Sequence, residues 1–154
     1  MKIILILIVF SLLLSSCGFK RVNQDNKLIY IKNFEVDGAQ EFTNSLKNNI
    51  LIISNKNSEN KYDIRVKIQK VKTTKSKDIT GKITKYNLTL TVNFFMTDLD
   101  NNEKIQKVFV KSENYNVANK HSDTLNNEKN LKESIIQRIS DDIINFIILR
   151  MRNQ

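Results

Sequence analysis

The chain has 154 residues, of which 25 are lysine or arginine and 16 are aspartate or glutamate, for a formal net charge of +9. This length, with 40% apolar residues, predicts one packed domain and excludes a disordered chain or a polytopic membrane protein. One cysteine and one histidine exclude a disulfide scaffold and leave little material for a zinc site or a cysteine–histidine nucleophile. Composition therefore argues against an enzyme, predicts no cofactor and favours an anionic partner.

Residues 1–16 have the features of a signal peptide: a positive start, an apolar run and small residues at the end. The apolar run Ile3–Leu14 is shorter than the roughly 20 residues of a bilayer-spanning helix, which makes a permanent anchor the weaker alternative. Leu14-Ser15-Ser16-Cys17 resembles the bacterial lipobox, which predicts that Cys17 becomes the lipidated first residue of the mature protein. A chance cysteine after an ordinary signal peptide is the other alternative.

Lipidation of Cys17 would account for a lone cysteine in an exported protein. Several acyl chains on one residue hold a protein stably at a membrane, whereas a single chain does so only marginally. Gly18 follows the cysteine, and the absence of aspartate there resembles lipoproteins that are exported onward to the outer membrane. We therefore expect a lipid-anchored protein on the periplasmic side of the outer membrane.

The mature chain divides into a polar tether at 17–27 and a single domain at 28–150. A brief strand is expected at 28–31, followed by a helix over 38–49 with Asp37 as its N-cap. Apolar residues at spacings of three and four mark one stripe of this helix. The apolar piece at 50–53 suggests a further short strand.

Three strands of an antiparallel meander follow in chain order. From Tyr62 to Ile68, apolar and polar residues alternate, as in a strand with one solvated face. After a basic bend at 73–80 and Gly81, the alternation resumes from Tyr86 to Met96. A turn cluster at 98–102 separates this strand from a third at 105–115, whose phase is less clear. The turn lacks the glycine and the distant glutamate of a calcium loop.

A polar loop at 116–127, which contains His121, precedes a long helix that is expected to begin near 126. Isoleucines recur along this helix at the spacing of one apolar stripe. Its end, Phe146–Leu149, is apolar around most of the cylinder, which suggests burial on several sides or an external contact. The whole order predicts an α+β two-layer sandwich, with an about four-stranded, mostly antiparallel sheet and two helices packed on one face.

The other face of the sheet is then open to a partner. The alternation assigns to it a polar and basic set with two aromatic residues: Asp63, Arg65, Lys67, Gln69, Asn87, Thr89, Thr91, Asn93, Phe95, Thr97, Lys107, Phe109 and Lys111. Such a face is too uncharged at its centre for an ordinary solvated surface and too polar for a core.

Taken in order, these segments resemble the LptE family of outer-membrane lipoproteins, also called RlpB. The resemblance covers nearly the whole chain, and order and spacing carry it. Its residues are the lipobox with Cys17-Gly18-Phe19, the early strand and helix, the bend with Gly81, the strand Tyr86–Val92, the segment Lys107–Ser112 and the closing amphipathic helix.

The resemblance implies a plug inside the outer-membrane β-barrel LptD, which assists assembly of that barrel and binds lipopolysaccharide during its delivery to the outer leaflet. The implied partner interface is Thr89, Thr91, Phe95 and Phe109. The implied contacts to lipid A phosphates are Arg65, Lys67, Lys75, Lys77, Lys82, Lys85, Lys107 and Lys111. In the family, basic residues on the bend and in the loop before the last helix contact lipopolysaccharide, and here Lys77, Lys82 and Lys120 are near those places.

Three other functions are open to such a chain. A lipoprotein chaperone or pilot of another envelope complex, such as a secretin, would have the same anchor and small α+β domain. An enzyme would rely on the carboxylates of the last helix, Asp141, Asp142, Glu128 and Glu133, where solvated charge is the usual explanation. Nucleic acid is disfavoured because an exported, lipidated protein rarely meets it.

Overall fold

A computed structural model describes residues 29–152, so the expected signal peptide, tether and lipidated Cys17 lie outside the described residues. Its elements are β1 (Tyr30–Gly38), α1 (Gln40–Leu51), β2 (Lys61–Lys77), β3 (Ile83–Asp98), β4 (Lys104–Asn116) and α2 (His121–Arg152). The four strands form one sheet in the order β1-β2-β3-β4. β1 pairs with β2 in parallel, and the other two pairings are antiparallel. The predicted α+β fold with an open sheet is confirmed.

The core lies between one face of the sheet and the two helices. Alternate residues of β2 and β3 enter it, because side chains along a strand point to opposite faces. The helices add apolar stripes at helical spacing, including Phe42 and Leu46 of α1 and Ile139 and Ile143 of α2. At 32 residues α2 is about 48 Å long, which matches the roughly 53 Å of the 16-residue β3. This helix runs along most of β4, from Glu128 beside Tyr115 to Arg150 beside Glu103.

The first strand is longer than expected and ends at a glycine. β1 extends through Asp37 to Gly38, so Asp37 is not the N-cap of α1; that position is Ala39, without a side-chain cap. Gly38 has φ +100°, and a Cβ there would lie 2.0 Å from the carbonyl oxygen of Ile68. Glycine is required because the chain leaves the sheet here while still touching the backbone of β2.

The apolar piece at 50–53 is not a strand. Its first two residues end α1, and the Ile53 amide donates to the Ile50 carbonyl in a closing turn (3.3 Å). A single parallel bridge joins Ile29 to Ser54 beyond it. The apolar character of the piece instead reflects burial of Ile50 and Ile53 in the core.

The long helix begins at His121, five residues before the expected start, so His121 is not in a loop. Local hydrogen bonds explain how this polar segment becomes helical. The Thr124 hydroxyl accepts the Ala118 amide (2.9 Å), and the Asn127 side chain donates to the Asn116 carbonyl (3.1 Å). These bonds tie the first helical turns to the end of β4, and no apolar stripe is needed there.

Candidate binding surfaces

The face of the sheet that the helices leave uncovered is the first candidate surface, here called the open face. On β2 and β3 the predicted alternation is confirmed, because Ile64, Val66, Val92 and Phe94 are buried on the opposite side. The strand register then defines the open face as Asn33, Glu35, Asp37, Asp63, Arg65, Lys67, Gln69, Val71, Thr73, Asn87, Thr89, Thr91, Asn93, Phe95, Thr97, Lys104, Gln106, Val108, Val110, Ser112 and Asn114.

The phase expected for β4 is wrong. Phe109 pairs with Val92 and is only 7% exposed, within the core. Lys107 lies on the same helix-covered side, with its Nζ 4.3 Å from the ring centroid of Phe146. Lys111 is also there, bonded to Asp142 of α2 (2.8 Å). The residues of β4 on the open face are the even-numbered ones, including the exposed Val108 and Val110.

Part of the open face is an uncharged polar network that bonds to itself. The Asn87 side-chain oxygen accepts hydrogen bonds from Thr89 (3.1 Å) and Ser112 (3.0 Å), and its amide donates to Asn114 (2.9 Å). Because these groups satisfy one another, they lose little when water is removed from the face. A partner can therefore cover this region without leaving buried charges unpaired.

A shallow depression of about 570 Å³ lies at the other end of the open face. Phe95 and Thr97 of β3, Arg65 of β2 and Gln106 of β4 contribute to its lining. Arg65 donates to Glu35 across the strands (2.8 Å), but both side chains stay largely exposed. An exposed pair of this kind contributes little to stability, so it is free to exchange partners on binding.

The tip of the β2–β3 hairpin is the second candidate surface. Asp78 forms the turn by accepting hydrogen bonds from the Thr80 amide (2.8 Å), the Thr80 hydroxyl (2.7 Å) and the Lys82 amide (3.0 Å). The hydroxyl bond of Thr80 is the main cause that lowers the pKa of Asp78, with the two amide bonds adding to it. Gly81 has φ +85°, which this tight turn requires. Ile79 at the tip is fully exposed.

Four of the expected anion-binding lysines surround that tip: Lys75, Lys77, Lys82 and Lys85. The other four expected residues do not join them. Arg65 and Lys67 lie on the open face toward the opposite end of β2, and Lys107 and Lys111 lie beneath β4 against α2. The structure thus brings together one basic cluster, at the hairpin, and separates the remaining positions.

A charged cluster on the helix-covered side is a feature that the sequence did not predict. It joins two strands to both helices and consists of Lys70, Lys72, Tyr115, Glu128, Lys132 and Glu41. Glu128 accepts from Lys72 (2.7 Å) and from the Tyr115 hydroxyl (2.6 Å). Lys132 bonds both Glu128 (2.9 Å) and Glu41 (2.8 Å). The i,i+4 spacing of Glu128 and Lys132 was the only sequence signal for it.

Within this cluster, the Glu128 carboxylate and the Lys72 ammonium are held in their charged forms. Partial burial alone would raise the pKa of Glu128, but hydrogen bonds from Lys72, Tyr115 and Lys132 outweigh burial and lower it to about 2. Burial would lower the pKa of Lys72, yet its bond to Glu128 raises it. The Glu128 carboxylate is therefore held in its ionised form by its neighbours, and its role is to join the strands to the helices.

The other carboxylates of α2 are also engaged in structural contacts. Asp142 holds Lys111, Asp141 accepts from Gln137 (3.0 Å), and Glu133 lies 3.9 Å from Lys129. No group of three metal-ligating side chains occurs within residues 29–152. In the same stretch of chain, neither helix has a segment long and apolar enough to cross a membrane.

The sequence of the described domain matches a known protein family. A family model described as lipopolysaccharide-assembly, LptE, matches residues 27–151, which is most of the chain. The chain belongs to the LptE family. The resemblance inferred from the order of the sequence segments is therefore confirmed, and the chain is a lipopolysaccharide-assembly lipoprotein of this family.

Solved structures show the same LptE-like fold at low sequence identity. The rare lipoprotein B of Shewanella oneidensis is 15% identical, with a TM-score of 0.62 over 79% of this chain and 98% of that chain. A proposed lipoprotein of Caulobacter crescentus is 9% identical, with a TM-score of 0.57 over 84% of this chain and 95% of that one. No curated protein matches the sequence. At these identities the shared feature is the fold, so the roles of single residues rest on the geometry above.

Proposed function

We propose that this chain is an outer-membrane lipoprotein, anchored through Cys17 on the periplasmic side, that plugs an LptD-like β-barrel and assists lipopolysaccharide insertion into the outer leaflet. Membership in the LptE family supports the involvement in lipopolysaccharide assembly. The lipobox at the end of residues 1–16 supports the anchor. The partnership with a barrel rests on the open face, which is the single observation that carries this proposal.

The open face suits the wall of a barrel lumen because the interior of such a barrel is polar. The open face is likewise polar, and it is mostly uncharged at its centre. Thr89, Thr91 and Phe95 of the expected interface lie there and are half-buried. Val108 and Val110 replace Phe109, which belongs to the core. Threonine and valine present methyl groups on a flat, rigid surface, so they contribute apolar contact at a small cost in side-chain entropy.

Lipopolysaccharide contact is assigned to the hairpin tip. Lys75, Lys77, Lys82 and Lys85 would meet lipid A phosphates through charge-assisted hydrogen bonds. Ile79, fully exposed between them, would meet an acyl chain, since it contacts no core in the protein itself. Lysine is a compact point charge on a flexible stem, so this contact would be sensitive to salt.

Purification of the tagged full-length protein from membranes in mild detergent tests the barrel partnership. We expect one large β-barrel protein to co-elute in stoichiometric amount. Phe95→Glu should reduce co-elution about tenfold, since it places a charge in the covered interface. Leu125→Glu is the matched control, because Leu125 is an exposed apolar residue on α2 (52%), and it should leave co-elution unchanged. Loss in both variants, or in neither, would contradict the assignment of the open face.

The same purification distinguishes this function from the alternative, a pilot of a secretin or of another envelope complex. It predicts that a different partner co-elutes, while membrane attachment through Cys17 is unchanged. Cys17→Ser should release the protein from the membrane under either function. The anchor and the partner are therefore tested independently.

The lipopolysaccharide assignment is tested by neutralising two tip lysines. The Lys77→Gln/Lys82→Gln variant should weaken binding to purified lipopolysaccharide about fivefold at low salt, and less at high salt. The matched control is Lys56→Gln/Lys61→Gln, which removes the same charge from exposed positions away from the tip. Equal weakening by the two variants would indicate a response to net charge alone.

An enzymatic role is not part of this proposal. Asp142→Asn would remove the ion pair with Lys111 and is expected to leave lipopolysaccharide delivery intact. Loss of delivery by a folded Asp142→Asn protein would reopen that possibility.

A further inference from the structure

The outer edge of β4 is a long strand edge that no element among residues 29–152 covers. β4 has 13 residues and pairs only with β3. Two terminal hydrogen bonds show which residues face β3: the Asp98 amide donates to the Glu103 carbonyl (2.9 Å), and the Val117 amide donates to the Thr84 carbonyl (2.9 Å). Since the register has no shift between them, the odd-numbered residues of β4 bond to β3 throughout.

The even-numbered residues therefore direct their backbone N–H and C=O groups away from the sheet. They are Lys104, Gln106, Val108, Val110, Ser112, Asn114 and Asn116. An edge of this kind is a template for another strand, and soluble proteins usually shorten it, bend it with a bulge or block it with proline. β4 has none of these three devices, as it is long, regular in register and part of a chain without proline. Its protection consists of the lysines Lys104, Lys107 and Lys111, which repel a basic strand but not an acidic one.

Side chains along this edge define the chemistry of a fitting strand. On the open face, Val108 and Val110 are 49% and 55% exposed beside the edge. On the helix-covered side, Glu113 is bonded to Arg138, whereas Lys107 forms only ring contacts within the described chain. The charge of Glu113 is neutralised by Arg138, whereas that of Lys107 is not neutralised within residues 29–152. The edge is therefore positively charged on the helix-covered side and apolar at Val108 and Val110 on the open face.

We propose that the outer edge of β4 receives an extended segment of a partner protein as a fifth strand, with valine or threonine alternating with aspartate or glutamate. Residues directly opposite each other in paired strands share a face, so the apolar residues would meet Val108 and Val110. The acidic residues would then lie on the helix-covered side, near Lys107. Backbone hydrogen bonds supply the affinity and the alternating side chains supply the selectivity. The net charge of +9 disfavours a second copy of this chain in the same place.

This inference does not depend on which envelope complex supplies the segment, so it stands or fails separately from the barrel-plug function. The test is residue-resolved amide exchange by NMR on the full-length protein in mild detergent. The probe is a blocked peptide of about nine residues that alternates glutamate with valine or threonine. Its control has lysine in place of every glutamate.

We expect the glutamate peptide to slow exchange of the Gln106, Val108 and Val110 amides about tenfold, because each gains a backbone partner. The amides of Phe109 and Lys111, already bonded to β3, should not change. The lysine peptide should bind about tenfold more weakly. Methylating alternate peptide nitrogens should abolish the protection, since it removes the donors that face β4.

A pair of protein variants isolates the backbone contribution. Val110→Pro removes one outward N–H without removing a bond to β3, and should weaken peptide binding about tenfold. Val110→Thr keeps both the N–H and the branched shape, and should bind within about twofold of the native protein.

The inference is overturned by any of four results: no protection with the glutamate peptide, equal protection with the lysine peptide, outward amides already protected in the free protein, or protection that grows with protein concentration alone. The third result would mean that the chain covers its own edge, and the fourth would identify a second copy as the occupant.

Discussion

The two faces of the sheet are made by the same strands and differ in how their polar groups are satisfied. On the helix-covered face, polar groups beyond the core are ionised and bind across elements, as Glu128 does with Lys72 and Tyr115. On the open face, uncharged groups such as Asn87 and Thr89 bond to near neighbours within the sheet. The first arrangement holds the layers together, whereas the second leaves a surface that a partner can cover at low cost.

Adjacent phenylalanines on β3 offer the sharpest test of this difference. Phe94 is fully buried and makes edge contacts with Phe109 and Phe146, at centroid distances of 6.3 and 6.2 Å, whereas Phe95 faces outward. Phe94→Ala should lower the free energy of unfolding by about 4 kcal/mol, because it leaves a cavity. Phe95→Ala should cost less than about 1 kcal/mol. Similar losses in denaturant unfolding would show that the open face is also a structural core.

Two glycines distinguish the point where β1 leaves the sheet from the exposed hairpin. Gly38→Ala should lower the free energy of unfolding by about 3 kcal/mol, since a Cβ would overlap the Ile68 carbonyl and φ is positive. Gly81→Ala should cost about 1 kcal/mol, because φ is positive there too but the surrounding space is open. Thermal unfolding of the two variants gives the comparison, and a reversed order would contradict the close approach at Gly38.

The charged cluster predicts acid sensitivity of the helix-covered side. The pKa of Glu128 falls from its usual 4.5 to about 2 on folding, so its stabilisation is present above pH 4.5 and is lost as pH falls toward 2. At neutral pH, Glu128→Gln should lower the free energy of unfolding by about 2 kcal/mol. In this variant the decline between pH 4.5 and 2 should be shallower. Parallel pH profiles for the variant and the native protein would show that Glu128 does not contribute.

The smallest effect is expected in the polar network of the open face. Thr89→Val keeps the branched shape and removes a hydroxyl that bonds Asn87 and Ser112. Stability should change by less than about 0.5 kcal/mol, because water replaces the lost bonds at this surface. A larger loss in urea unfolding would indicate that the network helps hold the sheet together.

The sequence predicted the faces of strands whose local alternation is clear. It failed where contacts with a distant element determine which face is buried. On β2 and β3, alternation assigns the faces correctly, since most apolar residues, though not Val71 or Phe95, occupy one phase. On β4 both phases contain apolar residues, with Phe109 in one and Val108 in the other. Because Lys107 and Lys111 share the phase of Phe109, the sequence assigned that phase to the solvated face. Their partners, Asp142 and the Phe146 ring, are on a helix more than 30 residues away and could not be inferred from the strand itself.

The candidate binding residues were grouped correctly only where they are close in the sequence. Sequence proximity was enough to group Lys75, Lys77, Lys82 and Lys85, because a tight hairpin brings its two sides together. Sequence proximity did not reveal that Arg65 and Lys107 lie away from these four lysines, because their positions depend on strand register and phase. The charged cluster was missed because it joins residues as distant as Glu41 and Lys132, whose proximity requires the packing of α1 on α2.

The parallel pairing of β1 with β2 has a consequence for how the domain folds. β2, β3 and β4 are joined by short turns, so their contacts are local and form at little entropic cost. β1 pairs with β2 across the intervening α1, so this pairing requires closure of a longer loop. We therefore expect the meander to assemble first and β1 with α1 to dock last. The same unit would open first in the native protein, so the part of the domain next to the tether is the part most readily unfolded.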